Sequence, residues 1–518
     1  MAGRNTERDG AANQFEFHVL THYEPVWRVL QRPRLRPHVN RLLINSAVNK
    51  VPPRPHPLST LAPYTSWSSL TDRSYDARHL PPRQIENLPP AEEVADLFMR
   101  RGEDALCAKS TVTFAYFAQW FTDGFLRSDR SVKRDPRRND ATHEIDLLPI
   151  YGVRPSWTEQ LRAHEGGRLK SQLIDGAEFA PFLCENGETK PEFSEIKVVR
   201  PDQIPPERRD DLFAAGSDTM NSQIGFVLMN TLFLREHNRI AASLEHEYPS
   251  WDDERLFQTA RNILIVLLIK LVIEEYINHI APYHFKLVAD PKPFKNEPWY
   301  RTNWMAIEFN LLYRWHGLIP TQLRVAGADE PIWHTVFNPN LVVEHGLARL
   351  FDDASHQRAG RVGLRNTAPA LREVEHNSIL QGRAIQLAPY NDYRDLAGFP
   401  RVTSFDQISS DAEIVAGLRS LYGDVDRIEL YPGLFAEDTR PNSVLPSLIG
   451  RLVAVDAFSQ ALTNPLLSPR VFNAQTFSPL GMETIATTNS LSDIVHRNVP
   501  ESPGRHLVTM TRSDWQRV

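Results

Sequence analysis

At 518 residues the chain is long enough for one large domain or two to four ordinary ones. Its composition, 41% hydrophobic and 24% charged, is that of an ordinary soluble globular protein, and a net charge of −6 gives no general reason to expect nucleic-acid binding. Two cysteines, Cys107 and Cys184, exclude a disulfide framework and favour a reducing compartment.

The N-terminus, MAGRNTERDGAANQ, has no apolar core of a signal peptide, and residues 1–13 are expected to be disordered. From 14 to 55 apolar residues (Phe15, Val19, Trp27, Leu30, Val39, Leu42) interleave with Arg28, Arg32, Arg34, Arg36 and Arg41, and 27–41 contains no acid. Broken by Pro25, Pro33 and Pro37, this reads as short amphipathic helices. They form either an arm packed on the main body or an interfacial, membrane-contacting segment over 14–48. Proline clusters at 51–65 and 81–90 suggest long ordered connections. From about residue 92 helix signals dominate: 93–101, 111–127, 220–247, 252–280, 304–314, 343–352, 411–421 and 446–462. The apolar run 263–273 is interrupted by Lys270 and is too short to span a bilayer, so it reads as a buried helix. The expectation is a mainly α, cytoplasmic protein whose membrane association, if any, is peripheral.

GxSxG, HExxH, Walker A, GxGxxG and paired CxxC patterns are absent. Three constellations remain. In Glu308-Phe-Asn-Leu-Leu-Tyr313-Arg-Trp-His316, helical spacing puts Tyr313 and His316 on one face. An imidazole can ligate iron, and a nearby tyrosine can lose an electron and a proton to an oxidised heme. By itself the pair is weak evidence, because a Tyr and a His on an apolar helix are more often structural. In Phe114-Ala-Tyr-Phe-Ala-Gln119-Trp-Phe121-Thr-Asp123-Gly-Phe125, an amide and a carboxylate sit at i and i+4 on an apolar helix and need partners. Leu234-Arg235-Glu-His-Asn-Arg239 reads as an internal ion-pair network.

In this order the segments resemble the animal-type heme peroxidase superfamily, and within it the prostaglandin endoperoxide synthase (cyclooxygenase) branch. FHVLTHYEPVWRVL is similar to that branch's membrane-binding helices, YDARHLPP to the start of its catalytic domain, and FAYFAQWFTDGF to its distal heme helix. HEIDLLPIYG, LREHNRIAASLEHEYPSWDDERLFQTAR, IEFNLLYRWHGLIP and SLYGDVDRIELYPGLFAED follow in sequence. The resemblance implies a short amphipathic N-terminal segment, 14–55, and a large helical heme-peroxidase catalytic domain, 56–518. It implies a heme b cofactor with His316 on the iron, Tyr313 as radical tyrosine, and Tyr431 as the tyrosine that hydrogen-bonds the proximal histidine. Gln119 matches the distal glutamine. Phe121, Phe125, Phe309, Leu312, Trp315 and Ala457 match residues of the fatty-acid channel. The implied reaction begins with peroxide oxidising the heme, which generates a radical at Tyr313. That radical removes a hydrogen atom from an unsaturated fatty acid, and dioxygen then adds.

Departures from the pattern carry their own expectations. Asp123 stands where the branch has its distal histidine, so Asp123 is the candidate catalytic group there and peroxidase turnover is expected to be weak. No arginine occupies the branch's carboxylate-anchor position within 45–47; Lys50, Arg41 and Arg54 are candidate substitutes. The growth-factor-like module is missing, implying a pared-down microbial relative, with a homodimer as a further expectation. The Tyr-x-x-His pair also occurs in fatty-acid α-dioxygenases and does not discriminate. A small-molecule peroxidase and a non-catalytic heme or lipid-binding protein remain alternatives.

Overall fold

The computed structural model describes residues 8–52, 54–128, 135–499 and 506–517. About 51% of it is helical. Among the described residues the strands pair only as two-stranded antiparallel ribbons, one of them joining Leu106–Thr111 to Arg358–Gly360. The architecture is therefore mainly α, as expected.

Three short helices begin the chain: α1 (Ala11–Thr21), α2 (Glu24–Leu30) and α3 (Arg36–Val48). Pro25 and Pro37 fall in the first turns of α2 and α3, where a missing N–H costs nothing, so they start helices instead of merely breaking them. Residues 8–13, expected to be disordered, sit against the body. Asp9 is fully buried and ion-paired with Arg440 at 2.6 Å, and Asn13 donates to the Gly398 carbonyl at 2.8 Å. Trp27, Ile44 and Val48 face inward, whereas Phe15, Val26 and Leu42 face solvent.

The heart of the domain is built from α4 (Val112–Asp123), α5 (Ile224–Glu247) and α6 (Asp253–Leu271), which pack on one another. The Thr111 side chain caps α4 by accepting from the Phe114 N–H. The charge-rich stretch of α5 is the expected internal network: buried Glu236 accepts from Arg239, Arg497 and Asn498. Asp253–Ile280 is the one described helical run long and apolar enough to cross a membrane, but it is largely buried inside the protein. Lys270 does not disturb that burial. Its ammonium donates to the carbonyls of Ile485 and Thr488, at the open C-terminal end of a neighbouring helix. Cys107 and Cys184 are both buried free thiols.

Two departures from regular helix shape the site. The expected helix 252–280 passes into a π-helical turn at Val272–Ile277, a distortion that often accompanies function. The expected helix 304–314 is only α7 (Ile307–Leu312): Tyr313 is its C-cap at φ −100°, ψ 13°, and His316 opens a separate 3-10 turn. The Trp315 indole N–H donates to the Leu312 carbonyl, satisfying the end of the helix and turning the chain. Helical periodicity is therefore not what relates Tyr313 to His316; a tight turn is. Gly360 presses on that turn, where a Cβ would overlap the Gly317 carbonyl.

Three further helices complete the site: α8 (Arg372–Ala384), α9 (Leu430–Ala436) and α10 (Ser447–Leu462).

Candidate active site

His316 is held from behind by α8. Its Nδ1 lies 3.0 Å from Glu375 Oε1, which fixes the tautomer and leaves Nε2 with no protein partner among the described residues. Glu375 is almost fully buried, and also accepts from the Thr367 hydroxyl at 2.6 Å and the Tyr431 hydroxyl at 2.5 Å. Burial pushes this carboxyl up, but His316, Thr367 and Tyr431 outweigh that and hold it below its ordinary value. Tyr431 on α9 thus meets the histidine only through Glu375, which corrects the expectation of a direct Tyr431–His316 bond. A carboxylate is the better acceptor for an imidazole N–H and takes the position nearest the ring.

On α4 every residue from Val112 to Thr122 is buried except Gln119, which is exposed. Gln223 donates from the start of α5 to the Gln119 side-chain oxygen. An imidazole nitrogen with no protein partner is of the kind that can ligate heme iron, and Gln119 is the one exposed residue between Val112 and Thr122. The Asp123 carboxylate is already committed. Its Oδ2 accepts from Arg127 at 2.8 Å, Ser217 at 2.7 Å and Thr219 at 2.7 Å, and Arg127 also pairs with Asp218.

Tyr313 stands between these parts. Its ring is partly exposed, yet its hydroxyl is sealed from solvent. The Tyr276 hydroxyl, on the π-helical turn, faces it and interacts with it. Burial raises the Tyr313 hydroxyl well above the usual tyrosine range, with the nearby Asp456 charge adding to the effect. The phenol is therefore neutral at physiological pH. Aromatic rings enclose it: Phe309 at 4.7 Å edge-on and Trp315 at 4.6 Å stacked, with Phe125 on Phe309 and Phe121 on Phe125. Phe121, Phe125, Phe309, Leu312 and Trp315, expected along an acyl channel, are all buried in or beside this aromatic wall.

An open cleft runs between α1, α3, the segment after the π turn, and α10. Ala457 lines the cleft, as do Ala454 and Ile277. Ala457 and Ile277 each neighbour in sequence a residue, Asp456 or Tyr276, that acts electrostatically on Tyr313. The three cations expected to anchor a carboxylate are otherwise engaged. Arg41 pairs with Glu297, Lys50 with Glu16, and Arg54 is buried against Asp456 at 2.6 Å. Asp456 also receives His79 at 2.9 Å, and together these partners hold it far below the ordinary carboxylate range despite burial.

Sequence reasoning missed Glu375, Tyr276 and the helix α8 itself. REVEHNSILQGRA shows no apolar stripe, and a buried glutamate is indistinguishable from an exposed one until its partners are known. Tyr276 carried a weak signal, a tyrosine beside two glutamates inside an apolar helix.

The animal haem peroxidase family profile matches residues 124–508. Prostaglandin G/H synthase 2 of Equus caballus is 33% identical over 501 residues, covering 94% of this chain and 81% of that protein. Prostaglandin G/H synthase 1 of Rattus norvegicus is 34% identical over 503 residues, with the same coverage. Among solved structures, fatty acid alpha-dioxygenase of Oryza sativa superposes with a TM-score of 0.72 over 95% of this chain and 97% of that one, at 16% identity. Peroxidase A of Dictyostelium discoideum gives 0.68 over 89% and 99%, at 17% identity. At such identities these two structures share the fold.

Proposed function

The chain belongs to the animal haem peroxidase family and is a heme oxidoreductase, and we propose that it oxygenates unsaturated fatty acids through a radical at Tyr313. The observation that carries this reading is Tyr313 itself. It is a neutral phenol whose hydroxyl is sealed within an aromatic wall, three residues before the imidazole that would hold heme, and an acyl chain in the cleft would approach it past Ala457 and Ile277.

Heme, when bound, supplies the one-electron oxidant. His316 would hold the iron through Nε2, with Glu375 orienting the ring and Tyr431 and Thr367 steadying Glu375. Tyr313 gives up an electron and its hydroxyl proton together, because burial disfavours the phenolate. The resulting phenoxyl removes a hydrogen atom from a weak C–H bond of an acyl chain in the cleft and regains its O–H. Dioxygen adds to the carbon radical, and the peroxyl product takes the hydrogen atom back from Tyr313. The aromatic wall keeps water away and fixes the approach of the chain. Gln119 would face the peroxide. Asp123 braces Arg127 and is poorly placed to shuttle protons, so peroxidase turnover would be slow.

The test is incubation of heme-loaded protein with oleate, linoleate and arachidonate, following oxygen uptake and identifying products. Uptake yielding hydroperoxides on the chain is expected, with only feeble guaiacol oxidation by hydrogen peroxide. Absence of uptake with every acid would refute the reading. Because the alpha-dioxygenase of Oryza sativa shares the fold, product position decides between the two oxygenations: a chain shortened by one carbon would mark α-oxidation.

The arm α1–α3 would serve the same chemistry by resting on lipid. Phe15 and Leu42 are 70% and 67% exposed, and Val26 and Leu35 are also outward, among arginines. Heme-loaded protein is expected to bind anionic vesicles more tightly than neutral ones, less so at high salt. Equal sedimentation with vesicles by the protein and by a Phe15→Ser/Leu42→Ser variant would leave the arm a packing role only.

A further inference from the structure

Four charged side chains line the cleft: Glu16, Lys50, Arg440 and Arg451. Lys50 and Glu16 satisfy one another at 2.8 Å, and Arg440 is paired with buried Asp9. Arg451 differs. Its guanidinium donates to two neutral oxygens, the Ala397 carbonyl at 3.2 Å and the Asn13 side chain at 3.0 Å. Among the described residues no carboxylate lies within ion-pairing distance, and Glu16 and Asp9 act on it only from beyond that range. The guanidinium itself lies over Phe399, its carbon 4.8 Å from the ring centre, which fixes its plane. A half-buried cation with no carboxylate in direct contact is incompletely compensated, and a guanidinium presents a planar fork that matches a carboxylate. The same face of α10 continues inward as Gly450, Ala454 and Ala457, and the space where a Gly450 side chain would go is open.

We propose that Arg451 holds the carboxylate of the acyl substrate at the outer end of the cleft, so that a mid-chain carbon reaches Tyr313; this rests on the fatty-acid reading above. Arg451 precedes Ala457 by six residues, roughly 9 Å along the helix axis at about 1.5 Å per residue. Helical side chains lean toward the N-terminus, which carries the guanidinium further from Tyr313. A carboxylate gripped there cannot put its own α-carbon beside the tyrosine. The inner end offers a carboxylate no partner for a second reason: Arg54 is already paired with Asp456, and His79 is hydrogen-bonded to the same carboxylate.

The experiment compares heme-loaded wild type, Arg451→Gln and Arg451→Lys. Binding of myristate and of methyl myristate is read by displacement of a fluorescent long-chain methyl ester. Wild type is expected to favour the acid by about 10- to 100-fold, the range for a charge-assisted hydrogen-bonded pair. Arg451→Gln should lower acid binding to the level of the ester without weakening the ester, and Arg451→Lys should keep most of the preference. In oxygen uptake the Gln change should appear in KM, with kcat little altered. Equal binding of acid and ester by wild type, or an undiminished preference in Arg451→Gln, would overturn the assignment. If the Gln variant fails to fold, the wild-type ratio and the Lys variant still decide. Products shortened by one carbon would overturn the mid-chain placement. Acid-selective binding without oxygen uptake from any fatty acid would sink the oxygenase reading and leave the anchor standing.

Discussion

Tyr313→Phe is expected to abolish fatty-acid oxygen uptake while leaving heme content, the Soret band and the fold intact. The reason is an asymmetry visible in the structure. The hydroxyl is sealed from solvent and the polar group facing it is the equally buried Tyr276 hydroxyl, so it contributes little to folding and carries a desolvation cost. Removing it should leave stability unchanged or raise it, by about 0–2 kcal/mol on the scale of an unsatisfied buried polar group. A buried polar atom retained at a cost to stability calls for a functional explanation. Oxygen uptake, thermal unfolding and the heme spectrum measured on one preparation separate the two effects. A Phe variant that oxygenates linoleate at the wild-type rate would show that the radical resides elsewhere; one that unfolds easily would show that the hydroxyl has a structural partner.

Glu375→Gln is expected to weaken heme binding by about 10- to 100-fold, the usual consequence of removing the group that orients a metal-bound histidine. His316→Ala should abolish ordinary binding altogether. The two differ in kind. Glutamine can still accept from Nδ1, but it is neutral and offers a single acceptor oxygen, whereas the carboxylate serves His316, Thr367 and Tyr431 at once. Tyr431→Phe removes one donor from that set and should have a smaller effect than either. Titration of apoprotein with heme, followed at the Soret maximum, ranks the three variants without any turnover assay. If Tyr431→Phe proved as damaging as His316→Ala while Glu375→Gln bound normally, the tyrosine would be the group in contact with the histidine.

Much of this molecule was legible before folding was considered, because the relevant signals are local. The apolar period of α5 and α6, the short helices of the N-terminal arm, and the aromatic run of α4 each follow from residue spacing over one or two turns. The three-residue spacing of Tyr313 and His316 is visible in the sequence, but only the family resemblance gives the pair its roles, and a turn and not a helix face relates them. What the sequence could not supply were partners far apart along the chain. Glu375 meets His316 across 59 residues, Asp123 meets Ser217 across 94, and Arg54 meets Asp456 across 402. A glutamate, aspartate or arginine looks alike in sequence whether it is solvated, paired or waiting for a ligand; only burial and the identity of its neighbours distinguish these. For the same reason the three cations nearest the expected anchor position in sequence prove to be engaged, and Arg451, on a helix some four hundred residues later, is the one left facing the cleft with only neutral oxygens to hold. Local spacing determines which elements form; the charge each buried group carries, and what it can bind, is decided by the tertiary packing that removes water and chooses its partners.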